Sequence, residues 1–175
     1  CCLYSSAVKW ASYSAPSRAR SRFPSLRRSS GSRTTAARYR AEIAKGQGWV
    51  VEEGPGGTKK YPIEHVLGGK NVFYLLTSLE RGRLQTLPVA YDVNAKAWLD
   101  MAASAVRHVP GERRKDEPLN WREWPYTFNT SCYGCHVSRL STNYDPGTDS
   151  YRTTWAEPGI SCETCHGPSA EHDAI

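Results

Sequence analysis

The sequence predicts an α+β fold of low regular content, in which an antiparallel β meander is followed by a loop-rich region with short helices. Strand-like runs separated by strong turn signals fill the middle of the chain. From residue 109 onward the sequence is turn-rich and leaves little room for long elements. We therefore divide the chain into a basic segment over residues 1–40, a β-rich part over 41–108 and a loop-rich part over 109–175.

The β-rich part begins with a predicted hairpin over residues 47–64, where GWVVEE and TKKYPIEH flank the turn sequence GPGG. Residues 71–79 form the next predicted strand, which is apolar but too short to span a membrane. The chain returns over 83–93, where Pro88 indicates a sheet edge or a bulge. Residues 95–101 are either a third strand of the meander or a short helix.

The basic balance of the chain belongs to its first forty residues. They contain Lys9 and eight arginines with no acidic residue, a charge of +9, whereas the remaining 135 residues carry 14 basic and 17 acidic residues, or −3, giving the net +6. Three interpretations stay open for this Ser/Arg-rich segment. It is a disordered arm that binds nucleic acid or an acidic surface, a linker without a role, or a stretch that is not native coding sequence.

The start of the chain shows neither an initiator Met nor a signal-peptide pattern. We therefore expect a mature form or a fragment. Cys1 is either a lipidated first residue or the end of a cut fragment, and association with lipid stays open. Cys1 and Cys2 lack a following histidine, so they do not form a further copy of the motif described next.

Two five-residue motifs organise the loop-rich part: the first motif, residues 132–136, and the second motif, residues 162–166. Each reads C-x-x-C-H, the pattern for covalent attachment of a c-type haem. Cysteines three positions apart lie on one face of a helical turn, where both thiols can form thioethers with the vinyl groups of one porphyrin. The histidine that follows is then carried beneath the ring. The predicted haem tethers are Cys132, Cys135, Cys162 and Cys165, and the predicted proximal ligands of the irons are His136 and His166.

The four cysteines of the motifs would also suit a structural zinc module. Two C-x-x-C pairs separated by a few dozen residues resemble a four-cysteine zinc ribbon. The histidine directly after each pair favours haem, because a zinc ribbon leaves both histidines unexplained.

Three histidines remain as candidate distal ligands, since two of the five in the chain belong to the motifs. They are His65, His108 and His172. If two of them bind iron, both haems are six-coordinate, low-spin electron carriers. His172 lies only six residues beyond His166, which is too near to reach the opposite face of the same haem, so a neighbouring haem suits it better. Met101 is the only methionine, and we do not expect it to bind iron.

Aromatic residues gather just ahead of each motif. The run WREWPYTFNTS precedes the first motif, and Tyr151 and Trp155 precede the second. Flat side chains suit packing against a porphyrin. The alternative is an ordinary aromatic core, and the two are compatible because haem would form part of that core.

Three stretches resemble multihaem c-type cytochromes of the cytochrome c-554-like family. They are WAEPGISCETCHGPSAEH over 155–172, HVLGGKNVFYLLTSLERGRLQTLPVAYDV over 65–93, and AVRHVP over 105–110. The resemblance covers residues 42–175. It is absent over the first forty residues, where another C-x-x-C-H would be expected, and this suggests a truncated or damaged copy. The resemblance implies haem c as cofactor, two in this chain and a further one in the complete protein, with neighbouring haems sharing ligands.

Electron transfer by covalently bound haems in a multihaem cytochrome is the predicted function. One alternative is a haem enzyme module that oxidises or reduces a small nitrogen or sulfur compound at a five-coordinate haem, and the other is the structural zinc module. No catalytic side chain is predicted. The chain contains no G-x-S-x-G and no phosphate-binding loop, which argues against serine hydrolases and nucleotide-binding proteins.

The predicted location and partners follow from the cofactor. Haem is attached to C-x-x-C-H after export, which indicates the periplasm or the extracellular side of a bacterial envelope. We expect redox proteins or further haem domains as partners, and no nucleic acid.

Overall fold

The computed structural model describes residues 2–5, 26–28, 37–68, 70–101, 106–107 and 117–168. The candidate ligands His108 and His172 therefore lie outside the described residues, as does most of the basic segment. The division of the chain at residues 40 and 108 stays a prediction.

A four-stranded antiparallel sheet contains the predicted hairpin. Its strands lie in the order β2-β3-β4-β5, with the bounds β2 Leu26–Arg28, β3 Ala37–Ala44, β4 Gln47–Gly54 and β5 Gly57–Pro62. The β4–β5 hairpin is confirmed, with Gly54 opposite Gly57 across the turn. Lys45 and Gly46 connect β3 to β4 with φ of 52° and 79°. Two consecutive positive φ values are the requirement of the tight turn whose twist matches the flanking strands.

A five-stranded antiparallel sheet contains the predicted meander. Its order is β1-β6-β7-β8-β9, with the bounds β1 Cys2–Ser5, β6 His65–Gly68, β7 Val72–Ser78, β8 Leu84–Asp92 and β9 Ala97–Asp100. The meander is confirmed over β7 to β9, and the segment over 95–101 contains a strand rather than a helix. The sequence did not predict β6 as a separate strand, since it assigned His65 to the end of the hairpin. A short 3-10 turn, Glu80–Gly82, joins β7 to β8.

Pro88 lies in a central strand and marks a bulge. β8 is paired on both sides, with β7 and β9, so the sheet-edge alternative for Pro88 is wrong. The register between β7 and β8 shifts between Tyr74 and Leu76, opposite the part of β8 that contains Pro88. Proline has no N–H to donate to the ladder, so it is accommodated where the pairing is interrupted. The carbonyl of Pro88 is still used, since it accepts a hydrogen bond of 2.9 Å from the backbone N–H of Met101.

The five-stranded sheet is buried on both faces. Leu75 and Leu76 follow each other in β7, and successive side chains of a strand point to opposite faces. Leu75 packs in the first core cluster, which includes the four-stranded sheet residues Tyr39, Val50 and Tyr61. Leu76 packs in the second core cluster, together with residues that flank the first motif. The members of the second core cluster are Leu67, Leu76, Leu84, Phe128 and Val137.

Short elements follow the sheets, as predicted. The strand pairs are β10 Val106–Arg107 with β11 Glu117–Pro118, and β12 Val137–Ser138 with β13 Glu157–Pro158. A 3-10 turn, Trp124–Tyr126, and a π-helical turn, Phe128–Cys132, lead into the helix α1, Tyr133–His136. Helix α2 is Cys162–His166. Antiparallel sheets with a few short helices confirm the predicted α+β class. In the described part of the chain, no helix combines the length and apolar character that crossing a membrane requires.

Candidate haem-binding site

The first motif is anchored to the five-stranded sheet by the residues that precede it. Phe128 and Asn129 are fully buried. The Asn129 side chain accepts a hydrogen bond of 2.7 Å from the backbone N–H of Leu84, at the start of β8, and donates one of 2.6 Å to Thr153 Oγ1. Thr127 Oγ1 donates to the buried Gln85 Oε1 at 2.9 Å. These hydrogen bonds hold the segment that leads into α1 in place, and they involve protein atoms alone.

The cysteines of the first motif differ in environment. Cys132 is half-buried and packs against the second core cluster, and this burial raises the pKa of its thiol. Cys135 is exposed. Both thiols are free, as are those of the second motif, so all four are available for covalent attachment.

His136 ends α1 with a partly buried imidazole. Its buried Nδ1 has no hydrogen-bond partner among the described residues, and burial lowers the pKa of the ring. The imidazole is therefore neutral at neutral pH, which is the form that binds iron. A buried polar atom without a partner costs free energy, and such a group calls for an explanation by function.

The second motif forms α2 on the surface. Cys162, Cys165 and His166 are exposed, and α2 contributes no buried residue. The helix ends at His166, and the N–H of the following Gly167 bonds to the carbonyl of Glu163 at 2.9 Å. The φ of 78° at Gly167 is one that glycine adopts readily and other residues rarely do.

Backbone pairing brings the two motifs together. β12 directly follows the first motif, and β13 lies just ahead of the second motif. The carbonyl of His136 accepts a hydrogen bond of 2.7 Å from the N–H of Gly159. An ion pair of 2.8 Å joins Arg139 Nη2 to Glu163 Oε2, within the second motif. The two candidate haem sites are therefore neighbours in space as well as in sequence.

His65 is the one candidate distal ligand within the described residues. It begins β6, its Nδ1 is buried and unpaired, and burial lowers the pKa of its imidazole. Its ring meets that of Trp155 edge to face at 5.3 Å, and Trp155 meets Phe128 at 5.9 Å. His65 thus lies beside the aromatic residues that support the first motif.

The aromatic residues before the motifs divide into two groups. Trp121, Tyr126 and Phe128 are buried in the protein core, which confirms the core interpretation for these three. Trp124 is 75% exposed, and Tyr151 pairs with Tyr144 at a ring distance of 4.9 Å.

Met101, which we did not expect to bind iron, packs against the first core cluster, whereas Cys132 of the first motif packs against the second core cluster.

The residues present fit a covalently bound haem. Each motif offers two free thiols and a histidine at the end of a short helix: α2 holds both of its cysteines, whereas Cys132 directly precedes α1. His136 and His65 each hold a buried nitrogen that lacks a partner. Among the residues that the structure describes, no three His, Cys, Asp or Glu side chains converge as ligands of one metal ion.

Sequence reasoning did not single out Ser138, the buried residue that contacts the second motif. Nothing in its local sequence separates it from the other serines of the loop-rich part. The partners of Ser138 lie more than twenty residues away, and such pairing leaves no local pattern.

Comparison with known proteins locates the similarity in the part of the chain that holds both motifs. Residues 92–167 match the sequence model of a family described as cytochrome c554 and c-prime. This is shorter than the resemblance over 42–175 expected from the sequence. No curated protein and no solved structure gives a significant match. The family match supports haem c as the cofactor, electron transfer as the general role and, as is typical of c-type cytochromes, action outside the cytoplasm.

Proposed function

We propose that this chain holds two covalently bound haems and carries electrons as part of a multihaem cytochrome of a bacterial envelope. The observation that carries the proposal is the pairing of β12 with β13, which brings together two C-x-x-C-H motifs with four free thiols. The match to a c-type cytochrome family covers residues 92–167, which include both motifs.

Each residue of the site has a proposed role. Cys132 and Cys135 tether one haem and Cys162 and Cys165 the other, while the proximal ligands are His136 and His166. When bound, haem iron takes up and releases single electrons at a potential set by its axial ligands and surroundings. The chain's own contribution is to orient the two imidazoles and, through the pairing of β12 with β13, to hold the two motifs near each other.

His65 is the proposed distal ligand that the geometry supports best. Its neutral imidazole and unpaired Nδ1 suit iron binding, and Trp155 restricts the ring by edge-to-face contact. His108 and His172 stay candidates from the sequence. A haem held by two of these histidines would be low-spin, which would suit a carrier that does not bind substrate.

The alternative of a haem enzyme is distinguished by its open coordination position. We would mature the full chain in a bacterial periplasm with the cytochrome c maturation machinery, and record optical and EPR spectra. If the chain is an electron carrier, we expect low-spin haem with spectra that do not change when nitrite, hydroxylamine or carbon monoxide is added. A high-spin haem that binds any of these would favour the enzyme. Zinc in place of haem by metal analysis would contradict both.

The proposed partners are redox proteins or further haem domains that exchange electrons with the two haems. Neighbouring motifs favour short distances between the haems, which suits rapid transfer through the chain to a partner. No nucleic-acid role is proposed, because the haem-bearing part carries no excess of basic residues: residues outside the first forty have a formal charge of −3.

A further inference from the structure

Ser138 is a buried hydroxyl that touches the second motif at several points. It lies in β12, two residues after His136, and is 3% exposed. Its Oγ donates a hydrogen bond of 2.9 Å to the carbonyl of Gly159. It accepts one of 3.0 Å from the backbone N–H of Ser161, and it lies 3.0 Å from Thr164 Oγ1.

Proton counting gives these contacts a direction. A hydroxyl has one proton to donate and two lone pairs that accept. The Ser138 hydroxyl donates its proton to the carbonyl of Gly159. In the contact between Ser138 and Thr164, the Thr164 hydroxyl is therefore the donor. The two lone pairs of Ser138 then serve Ser161 and Thr164. The bonding capacity of Ser138 is filled, and every partner lies in or just ahead of the second motif.

Polar and backbone contacts orient the second motif within the described part of the chain. Helix α2 contributes no buried residue, so apolar packing does not fix its direction. The ion pair between Arg139 and Glu163 is largely exposed on the arginine side, and exposed pairs contribute little. Gly159, with φ of 87°, turns the chain from β13 toward α2. One link that runs into α2 itself from a buried residue is the hydrogen bond from Thr164 to Ser138.

We propose that Ser138 is a positioning residue that sets the relative orientation of the two haem-attachment motifs, and thereby the electronic coupling between the haems. The inference rests on the proposed function. The contacts of Ser138 join peptide elements to each other, so they constrain α2 independently of the porphyrins. Residues that orient the ligands of a metal site affect its properties even though they do not touch the metal.

The test compares three variants of the full chain, each matured with haem in the periplasm. Ser138→Ala removes all three hydrogen bonds. Thr164→Val changes an exposed side chain to one of nearly the same shape. It removes the bond from α2 to Ser138 together with the capping contacts of 3.3 Å between Thr164 Oγ1 and Ser161. Ser141→Ala is the matched control, because within the described residues the exposed Ser141 hydroxyl bonds only to Asn143, at 2.8 Å. The readouts are haem content by the pyridine haemochrome assay and the circular dichroism of the Soret band.

Two nearby haems give a bisignate Soret couplet whose amplitude depends on their mutual orientation, a quantity that a change in stability alone does not alter. We expect Ser138→Ala to keep two low-spin haems and to lose most of the couplet. Thr164→Val should lose a smaller part, and Ser141→Ala none. A wild-type couplet in Ser138→Ala with both haems present would overturn the inference.

Failures of the inference and of the proposed function are distinguishable. If Ser138→Ala does not mature, Thr164→Val decides, and an unchanged couplet in that variant overturns the inference. Two haems without any couplet in the wild-type chain would also overturn it, while leaving the proposed function intact. A wild-type chain without two haems would contradict the proposed function itself.

Discussion

The two C-x-x-C-H motifs share a pattern but differ in their support. The first motif is built on buried residues: Phe128 and Asn129 precede it, Val137 and Ser138 follow it, and Cys132 itself packs against the second core cluster. The second motif lies on the surface, with both cysteines and the histidine exposed. The sequence of a motif thus defines its covalent chemistry, whereas its flanking residues define how firmly it is held.

The difference also suggests an order of dependence between the motifs. The five-stranded sheet supports the first motif through Leu84 and Asn129, and the first motif supports the second through β12 and Ser138. Disturbing the first motif should therefore affect the second, whereas the converse effect should be small. The following predictions test this asymmetry, from the largest expected effect to the smallest.

Removal of the tethers should show the asymmetry most clearly. In the double variant Cys162→Ala/Cys165→Ala we expect one haem per chain, because the first motif keeps its own support. In Cys132→Ala/Cys135→Ala we expect fewer than one haem per chain, because the support of α2 is disturbed as well. Haem content by the pyridine haemochrome assay, divided by protein mass, measures both. Equal haem content in the two variants would contradict the asymmetry.

Replacement of His65 should change one haem without detaching it. We expect His65→Ala to keep both thioether pairs and to convert one of the two haems to a high-spin, five-coordinate form that binds carbon monoxide. The reason is that the unpaired Nδ1 and neutral ring of His65 suit the distal position. EPR and optical spectra check this. Fully low-spin spectra in His65→Ala would exclude His65 as a ligand.

Truncation of Phe128 should destabilise the support of the first motif. Phe128 is fully buried beside Trp155, and replacing a buried Phe by Ala costs about 3–5 kcal/mol of unfolding free energy. Trp124, an aromatic residue of the same run, is 75% exposed, and surface substitutions change stability by about 0.5 kcal/mol or less. Urea unfolding of Phe128→Ala and of the control Trp124→Ala measures the difference. Similar losses in both variants would contradict the core assignment.

The smallest expected effect is on the pH dependence of stability, and it arises where Tyr61 of the four-stranded sheet meets Trp121 and Arg122. Burial, together with a hydrogen bond from Tyr61 to Glu52, raises the pKa of the Tyr61 hydroxyl from 10.0 to about 12. The Arg122 guanidinium packs over Trp121 with its carbon 4.9 Å from the ring centroid, and it also contacts Tyr61. Because the folded chain binds this proton more tightly than the unfolded chain, the contribution to stability is complete below pH 10.

That contribution is lost as the pH rises from 10 through about 12. Urea midpoints across this range should fall more steeply for the wild-type chain than for Tyr61→Phe, which has no proton to lose at this position. Parallel pH profiles of the two proteins would show that the Tyr61 hydroxyl makes no such contribution.

Local patterns predicted the elements of this molecule well, and its long-range contacts poorly. The β4–β5 hairpin, the meander and the two short helices follow from turn residues, from strand-like runs and from the spacing of the cysteines, all of which act within a few residues. Pro88 indicated an irregularity, but its central position in the sheet depends on the pairing of β9. The contacts of Ser138 with α2 and of His65 with Trp155 join residues far apart in sequence, so no local pattern predicts them.

The most direct test of the account is the intact mass of the full chain after export and maturation in a bacterial periplasm. We predict the mass of the polypeptide plus two haems, retained under denaturing conditions because thioether bonds hold them. The bare polypeptide mass, with nothing added at the four cysteines, would contradict the account.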